Sequence, residues 1–262
     1  MVEKDSIMEG CLIVSLTSYP LRIPTLHYTL YSLFTQTLKP HKIILWLSRD
    51  EFLYKEKDLP QSVLRFTNYG LQIRWCEGNI KSYKKLIPTL REYADCIIVT
   101  ADDDVCYPHD WLLRLYSAYK TAPQYIHCHR AHRIIFDENG EILPYMKWQL
   151  RISHKHTYPS FLNFFTGVGG VLYPPHCLYN DVLKEELFLR LAPLQDDFWF
   201  FAMALLNGVK INVVKDNYTE FESYVDTSVT GALWLQNAKS ANDEVLSLLL
   251  AHYPQLRERI KA

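Results

Sequence analysis

The stretch Cys96-Ile97-Ile98-Val99-Thr100-Ala101-Asp102-Asp103-Asp104 joins an apolar run to an acidic triplet. The first six residues are uncharged and rich in β-branched side chains, which predicts a short buried strand. Carboxylates where such a strand runs out lie at a sheet edge, where α/β folds place their ligands. Adjacent anions repel, so a cation or several donors must be close by. Hard oxygen ligands suit Mg²⁺ or Mn²⁺. Such metals take one or two carboxylates and complete their shell with substrate phosphates. The triplet therefore points to a metal-held phosphate or diphosphate. A solvated acidic turn is the plainer alternative.

Outward from this stretch, strands and helices alternate. Cys11 to Leu16, Lys42 to Leu47 and Leu71 to Trp75 read as strands. Pro24 opens a helix with Leu26, Leu30, Leu33 and Phe34 on one face, ending before Pro40. A charged helical stretch follows around Glu51 to Lys57, and Tyr83 to Tyr93 is a helix containing Pro88. The alternation predicts a doubly wound, mostly parallel sheet of Rossmann-like type. After Pro108 the pattern changes. Asp110 caps a helix to Tyr119. Tyr125–Phe136 and Glu141–Trp148 read as a hairpin around Asp137-Glu138-Asn139-Gly140. Leu194 to Asn207 is a helix opened by Asp196 and Asp197, Val209 to Val214 a strand, and Asp243 to Ile260 an amphipathic helix. One domain is expected, with a nucleotide-binding half at about 11–107 and an acceptor-binding half at about 108–262.

Composition narrows the function. The 262 residues carry 28 basic and 29 acidic side chains, so no global charge favours nucleic acid. The aromatic share is 14%, with 18 Tyr, useful for stacking on bases and sugars as well as for core packing. Residues Met1 to Gly10 hold no apolar secretory core, and no apolar run is long enough to span a bilayer. Cys11, Cys76, Cys96, Cys106, Cys128 and Cys177 are scattered, with no metal-type pairing, and read as reduced thiols of a cytoplasmic protein. Spacing among His127, His129, His132, His154 and His156 does not make a zinc site.

Further groups carry chemistry, each with a structural alternative. Thr17, Tyr19 and Arg22, in the loop after the first strand, are placed to touch a base, ribose or phosphate; they are equally read as loop polarity. Lys81, Lys84 and Lys85 precede the helix leading to the aspartates and offer charge to a diphosphate, or form a solvated basic face. Thr166-Gly167-Val168-Gly169-Gly170-Val171 lacks dinucleotide spacing, so its glycines read as close backbone approach to a ligand or as a bulge. Asp196-Asp197 either caps its helix or supplies a general base beside an apolar pocket.

Taken together these residues resemble a known group. Val99-Thr100-Ala101-Asp102-Asp103-Asp104-Val105 is similar to the Asp-x-Asp motif of GT-A fold glycosyltransferases. Val14 to Pro20 and Ser32 to Thr37 resemble the N-terminal region of family-2-like bacterial members. Gly167 to Gly170 is similar to their acceptor-side loop, and Asp196-Asp197 to their acidic pair at a helix start. The resemblance covers about Cys11 to Val214. It implies a nucleotide-diphosphate sugar donor, with a UDP-sugar favoured, a saccharide or glycolipid acceptor, and Mn²⁺ or Mg²⁺. Asp102 would contact ribose or metal, Asp104 would ligate the metal, and Asp103 would do either. Asp197 would be the base, with Asp196 positioning it or the sugar. Trp148, Gly169 and Gly170 would serve the acceptor. Trp46-Leu47-Ser48 lacks the acidic pair that many members carry there, so base or ribose recognition differs. No C-terminal His stands out as a metal ligand; His252 sits in an ordinary amphipathic pattern. The group's habit implies surface-polysaccharide or lipopolysaccharide assembly in the cytoplasm, at the inner face of the membrane. Peripheral membrane contact stays open, without a basic amphipathic anchor. The competing readings are a sugar nucleotidyltransferase, which needs a Gly-rich first loop, and a non-catalytic saccharide-binding module built on platforms such as Trp148.

Overall fold

The computed structural model describes residues 11–156, 158–223 and 241–262. The apolar runs become the strands of a seven-stranded sheet. β1 (Leu12–Thr17), β2 (Lys42–Ser48), β3 (Leu71–Cys76) and β4 (Ile97–Ala101) are parallel neighbours in the order β3-β2-β1-β4. All five residues of β4 are buried, as an uncharged run predicts. Between these strands lie α1 (Leu26–Phe34), α2 (Gln61–Leu64) and α3 (Ile87–Glu92).

The short strand β5 (Val105–Cys106) and α4 (Trp111–Thr121) come next. The second half then adds β6 (Ile126–Cys128), β7 (Ala131–Arg133), β8 (Asn163–Phe165), β9 (Val171–Tyr173), α5 (Glu185–Leu191), α6 (Asp196–Leu206), β10 (Ile211–Val213), β11 (Glu222–Ser223), α7 (Asn242–His252) and α8 (Gln255–Lys261). The sheet continues β4-β9-β6-β10, and β9 alone runs against its neighbours. The expected α/β class with a mostly parallel, helix-flanked sheet is the one observed. Small antiparallel pairs β7–β8 and β5–β11 lie outside the sheet.

Two apolar clusters cover the sheet faces. Leu26, Leu30 and Leu33 of α1 pack with Val14, Leu16, Val99 and the α4 residues Trp111, Leu112 and Leu115. On the other face, Ile98 and Ile87 join Phe198 to Leu205 of α6 and apolar residues of α7 and α8. α6 is apolar almost all round, so it is buried almost all round. Only its first turn is acidic. No described helix is long and apolar enough to cross a membrane.

Several expected elements differ. The helix expected from Tyr83 is a 3₁₀ turn at Lys81–Lys85, followed after Leu86 by α3, with Pro88 in its first turn, where a missing N–H is harmless. Only Lys55–Asp58 of the charged stretch is helical, as 3₁₀. The Asp137–Gly140 turn forms, with Asp137 Oδ1 accepting the Asn139 and Glu141 N–H groups. Its arms meet antiparallel only through single bridges, Phe136 to Ile142 and Arg133 to Gln149, and the continuous pairing of β7 is with β8. The last helix breaks at Tyr253-Pro254 into α7 and α8. Asp110 makes no side-chain cap; its carboxylate is taken by Tyr218 and Arg114.

Candidate active site at the switch point of the sheet

From β1 the chain moves one way to β2 and β3, then crosses back to β4 on the other side of β1. Parallel sheets open a crevice at such a reversal, beyond the carboxyl ends of the diverging strands. Those ends here are the loop from Ser18 to Arg22 and the triplet Asp102 to Asp104.

The loops bind each other through charge. Arg22 Nη1 lies 2.7 Å from Asp103 Oδ1 and 2.9 Å from Asp104 Oδ2. Ser18 Oγ donates to Asp103 Oδ2 at 2.6 Å. Burial works against the Arg22 charge, but Asp103 and Asp104 outweigh it and hold Arg22 above its ordinary range. Asp103 is buried within these bonds. Asp104 is pushed up to about 6, by burial first and then by the neighbouring Asp102 charge, with Arg22 opposing.

The other end of the triplet meets α6. Lys85 Nζ sits 2.8 Å from Asp102 Oδ1 and 3.0 Å from Asp196 Oδ2. Asp197 Oδ2 accepts the Gly167 N–H at 2.9 Å. Burial disfavours the Lys85 ammonium, but Asp102, Asp196 and Asp197 together hold it charged. Asp197 is pushed up to about 7, by burial first and then by Asp196, with Lys85 opposing. The surrounding carboxylates hold Lys85 charged, while burial and the Asp196 charge raise Asp197 against the pull of Lys85. A Cβ at Gly167 would lie 2.8 Å from both Asp197 Oδ1 and Lys85 Nζ, so any side chain here would push the tips of this pair aside.

The expected residues therefore fall into place unevenly. Asp102, Asp103, Asp104, Lys85, Arg22, Asp196 and Asp197 form one continuous charged cluster. Tyr19 flanks it, with the Arg22 guanidinium 5.6 Å from its ring centre. Thr17 lies one strand over and spends its hydroxyl on the Trp46 carbonyl. Lys84, expected to serve the donor, is buried elsewhere, bound to Glu51 at 2.5 Å and to Asn79 at 3.1 Å. In the 3₁₀ turn adjacent lysines diverge, so Lys85 alone joins the aspartates.

Trp148, expected as an acceptor platform, is 4% exposed and packed among Tyr145, Phe164 and Phe198, with its N–H donated to the Leu143 carbonyl. It has no face to offer a sugar. Gly169 and Gly170, also expected on the acceptor side, are explained by packing. A Cβ at Gly169 would meet Arg130 at 2.6 Å, and one at Gly170 would meet Trp111 at 2.3 Å. Gly170 also has φ +81 and ψ 138, a region closed to other residues. Gly170→Ala should lower stability by about 3–5 kcal/mol, combining backbone strain with overpacking. A urea unfolding midpoint measures it.

Sequence reasoning passed over Tyr107 and Arg130, and took Ser18 and Gly167 only as members of longer stretches. Tyr107 Oη accepts the Asp102 N–H at 2.8 Å and donates to the Val168 carbonyl at 3.3 Å, tying the triplet to the glycine loop. Its position just past Asp104 was the available signal. The Gly167 signal was its place in the quoted glycine stretch.

Five carboxylates (Asp102, Asp103, Asp104, Asp196 and Asp197) face two paired cations, Lys85 and Arg22. This surplus of hard oxygen donors is chemically compatible with a divalent cation, and Asp102 and Asp104 are the carboxylates that could hold one. Among the described residues no group of three or more His, Cys, Asp or Glu is gathered to hold a metal. A metal here would complete its shell from substrate and water.

No protein-family model matches this sequence, and no curated protein matches it. Solved structures do. S. aureus TarS 1-349 in complex with UDP superposes with a TM-score of 0.54 at 15% identity, covering 95% of this chain and 70% of that one. The mannosyltransferase PcManGT from Pyrobaculum calidifontis, in complex with GDP-Man and Mn²⁺, gives 0.52 at 14% identity, covering 97% and 74%. The 4-diphosphocytidyl-2C-methyl-D-erythritol synthase from Anaerococcus prevotii gives 0.50 at 14% identity, covering 87% and 99%. At these identities the likeness is one of fold: a GT-A-like α/β architecture that glycosyltransferases and nucleotidyltransferases share.

Proposed function

We propose that this chain is a metal-dependent glycosyltransferase. It moves a sugar from a nucleotide-diphosphate donor, a UDP-sugar in the favoured case, to a hydroxyl of a saccharide or glycolipid acceptor. The observation that carries this reading is a single cluster at the switch point, in which Lys85 joins the Asp102–Asp104 triplet to the Asp196–Asp197 pair. An anion-binding half and a buried carboxylate base thus lie side by side. The donor would occupy the half before Tyr107 and the acceptor the half after it.

Asp197, held by the Gly167 N–H, takes the proton of the acceptor hydroxyl as that oxygen attacks the anomeric carbon. A pKa pushed up to about 7 makes it a stronger base than an ordinary aspartate. Attack on the face opposite the leaving diphosphate inverts the configuration. Lys85 and Arg22, the cations paired with the triplet, would meet the negative charge that grows on the diphosphate. Asp102 and Asp104 would hold Mn²⁺ or Mg²⁺, which supplies further neutralisation of that charge. Asp196 fixes Lys85 and through it the base. Ser18, Arg22 and Tyr19 build the wall toward the nucleotide.

The cytidylyl-synthase likeness favours a second reading, a nucleotidyltransferase. The first loop, Ser18 to Thr25, contains no glycine to cradle a triphosphate, which weighs against it. A non-catalytic module leaves the buried, raised Asp197 without a use. Incubation with UDP-, GDP-, CDP- and TDP-sugars and Mn²⁺ separates these readings. The expected result is nucleoside diphosphate release from one donor, lost without metal and in Asp104→Asn. Pyrophosphate release from a nucleoside triphosphate and a sugar phosphate would assign the second reading.

A further inference from the structure

Arg130 lies between β6 and β7, and its Nη1 donates to Thr166 Oγ1 at 2.7 Å. The Thr166 N–H returns a bond to the Arg130 carbonyl at 3.0 Å. The next residue in the chain is Gly167, whose N–H holds Asp197. Arg130 is thus tied to the residue that precedes the one holding the candidate base. Burial is the main influence on it and disfavours its charge; Tyr145, Glu220 and Asp197 are near enough to favour that charge, and Arg151 opposes it.

The other arginines around this cleft are neutralised: Arg22 by Asp103 and Asp104, Arg114 by Asp110, and Arg151 by Glu220. Arg130 has no carboxylate within ion-pair distance among the described residues. A mostly buried guanidinium with no carboxylate at ion-pair distance among the described residues is costly, and an anion that arrives beside it lowers that cost. Its planar fork suits the paired oxygens of phosphate or carboxylate.

We infer that the acceptor is an anionic saccharide, and that Arg130 binds its phosphate or carboxylate group beside Asp197. This rests on the transferase reading. It adds a charge to the acceptor, and it makes Arg130 the residue that selects for that charge.

The test is calorimetric titration with UDP and Mn²⁺ present at saturation. The probes are inorganic phosphate, glucose 6-phosphate, glucuronate and uncharged methyl glucoside. The wild type should bind a charged sugar at least about tenfold more tightly than methyl glucoside, as expected for a charge-assisted Arg contact. Preference for glucose 6-phosphate over glucuronate identifies phosphate as the group, and the reverse identifies carboxylate. Arg130→Gln should erase the difference while still binding UDP. Arg130→Lys should keep part of it, and decides the matter if the Gln variant does not fold. Equal binding of charged and uncharged sugars by the wild type, or an undiminished preference in Arg130→Gln, overturns the inference. Failure of the wild type to bind any nucleoside diphosphate removes the transferase reading and this inference together. Nucleotide binding without charge preference removes this inference alone.

Discussion

Asp197→Asn should reduce sugar transfer by about two to four orders of magnitude, the range a general base contributes. Its fold should be intact. Asparagine has the same shape, and its carbonyl oxygen can still accept the Gly167 N–H that Asp197 accepts now. The stability effect has a defined sign. The folded-state pKa of Asp197, about 7, lies above the ordinary 3.8, so the folded chain binds this proton more tightly than the unfolded chain. The proton's contribution to stability is complete below about pH 4 and is lost as the pH rises to about 7. Asparagine lacks that loss, so above pH 7 the variant should be as stable as the wild type or more so. Thermal melts at pH 5 and pH 8 check this, beside rates with an active donor. Wild-type activity should rise with pH through about 7, as the base loses its proton. Full activity in Asp197→Asn would remove the base assignment.

Lys85→Met should lower stability by about 3–5 kcal/mol, because it leaves buried carboxylates without their counter-charge. Lys85 is 5% exposed and lies within 3.0 Å of carboxylates on two separate elements. Methionine fills much the same volume, so lost packing contributes little. The loss should shrink in acid, where protonated carboxylates no longer need the ammonium. Nucleotide binding should weaken as well, because Asp102 loses the partner that holds it. Denaturant unfolding at pH 5 and pH 8 separates charge from packing. An equal loss at both pH values would show that Lys85 acts as a spacer.

Much of this was legible in the sequence, for physical reasons. Uncharged β-branched runs have one stable home in an α/β fold, a covered parallel strand, so β1, β2 and β4 were anticipated within a residue or two; β3, a half-exposed edge strand carrying Arg74, was legible from its alternation. The Asp102–Asp104 triplet and Asp196-Asp197 were legible because buried acidic clusters are costly and therefore uncommon. What stayed hidden depended on tertiary contact. Nothing local shows that Lys84 turns toward Glu51 while Lys85 turns toward Asp102. Trp148 looked like a sugar platform because an indole serves a core as well as a cleft, and only the surrounding Phe164, Phe198 and Tyr145 decide between them. The arms around the Asp137–Gly140 turn pair only through single bridges, and the continuous pairing of β7 is with β8, some 30 residues along the chain; local turn chemistry forms the turn but does not set how far the strands run. Arg130 was missed because its meaning lies in which carboxylates stay away from it.

The measurement that bears most directly on the switch-point site is the melting temperature of the chain with nucleoside diphosphates, each with and without Mn²⁺. A ligand at about 100 times its Kd adds about 2.7 kcal/mol of stability. The expected result is a rise of several degrees with one nucleoside diphosphate that requires Mn²⁺ and disappears in Asp104→Asn. No rise with any nucleotide and metal, or a rise unaltered in Asp104→Asn, would contradict a metal-held diphosphate on the aspartate triplet.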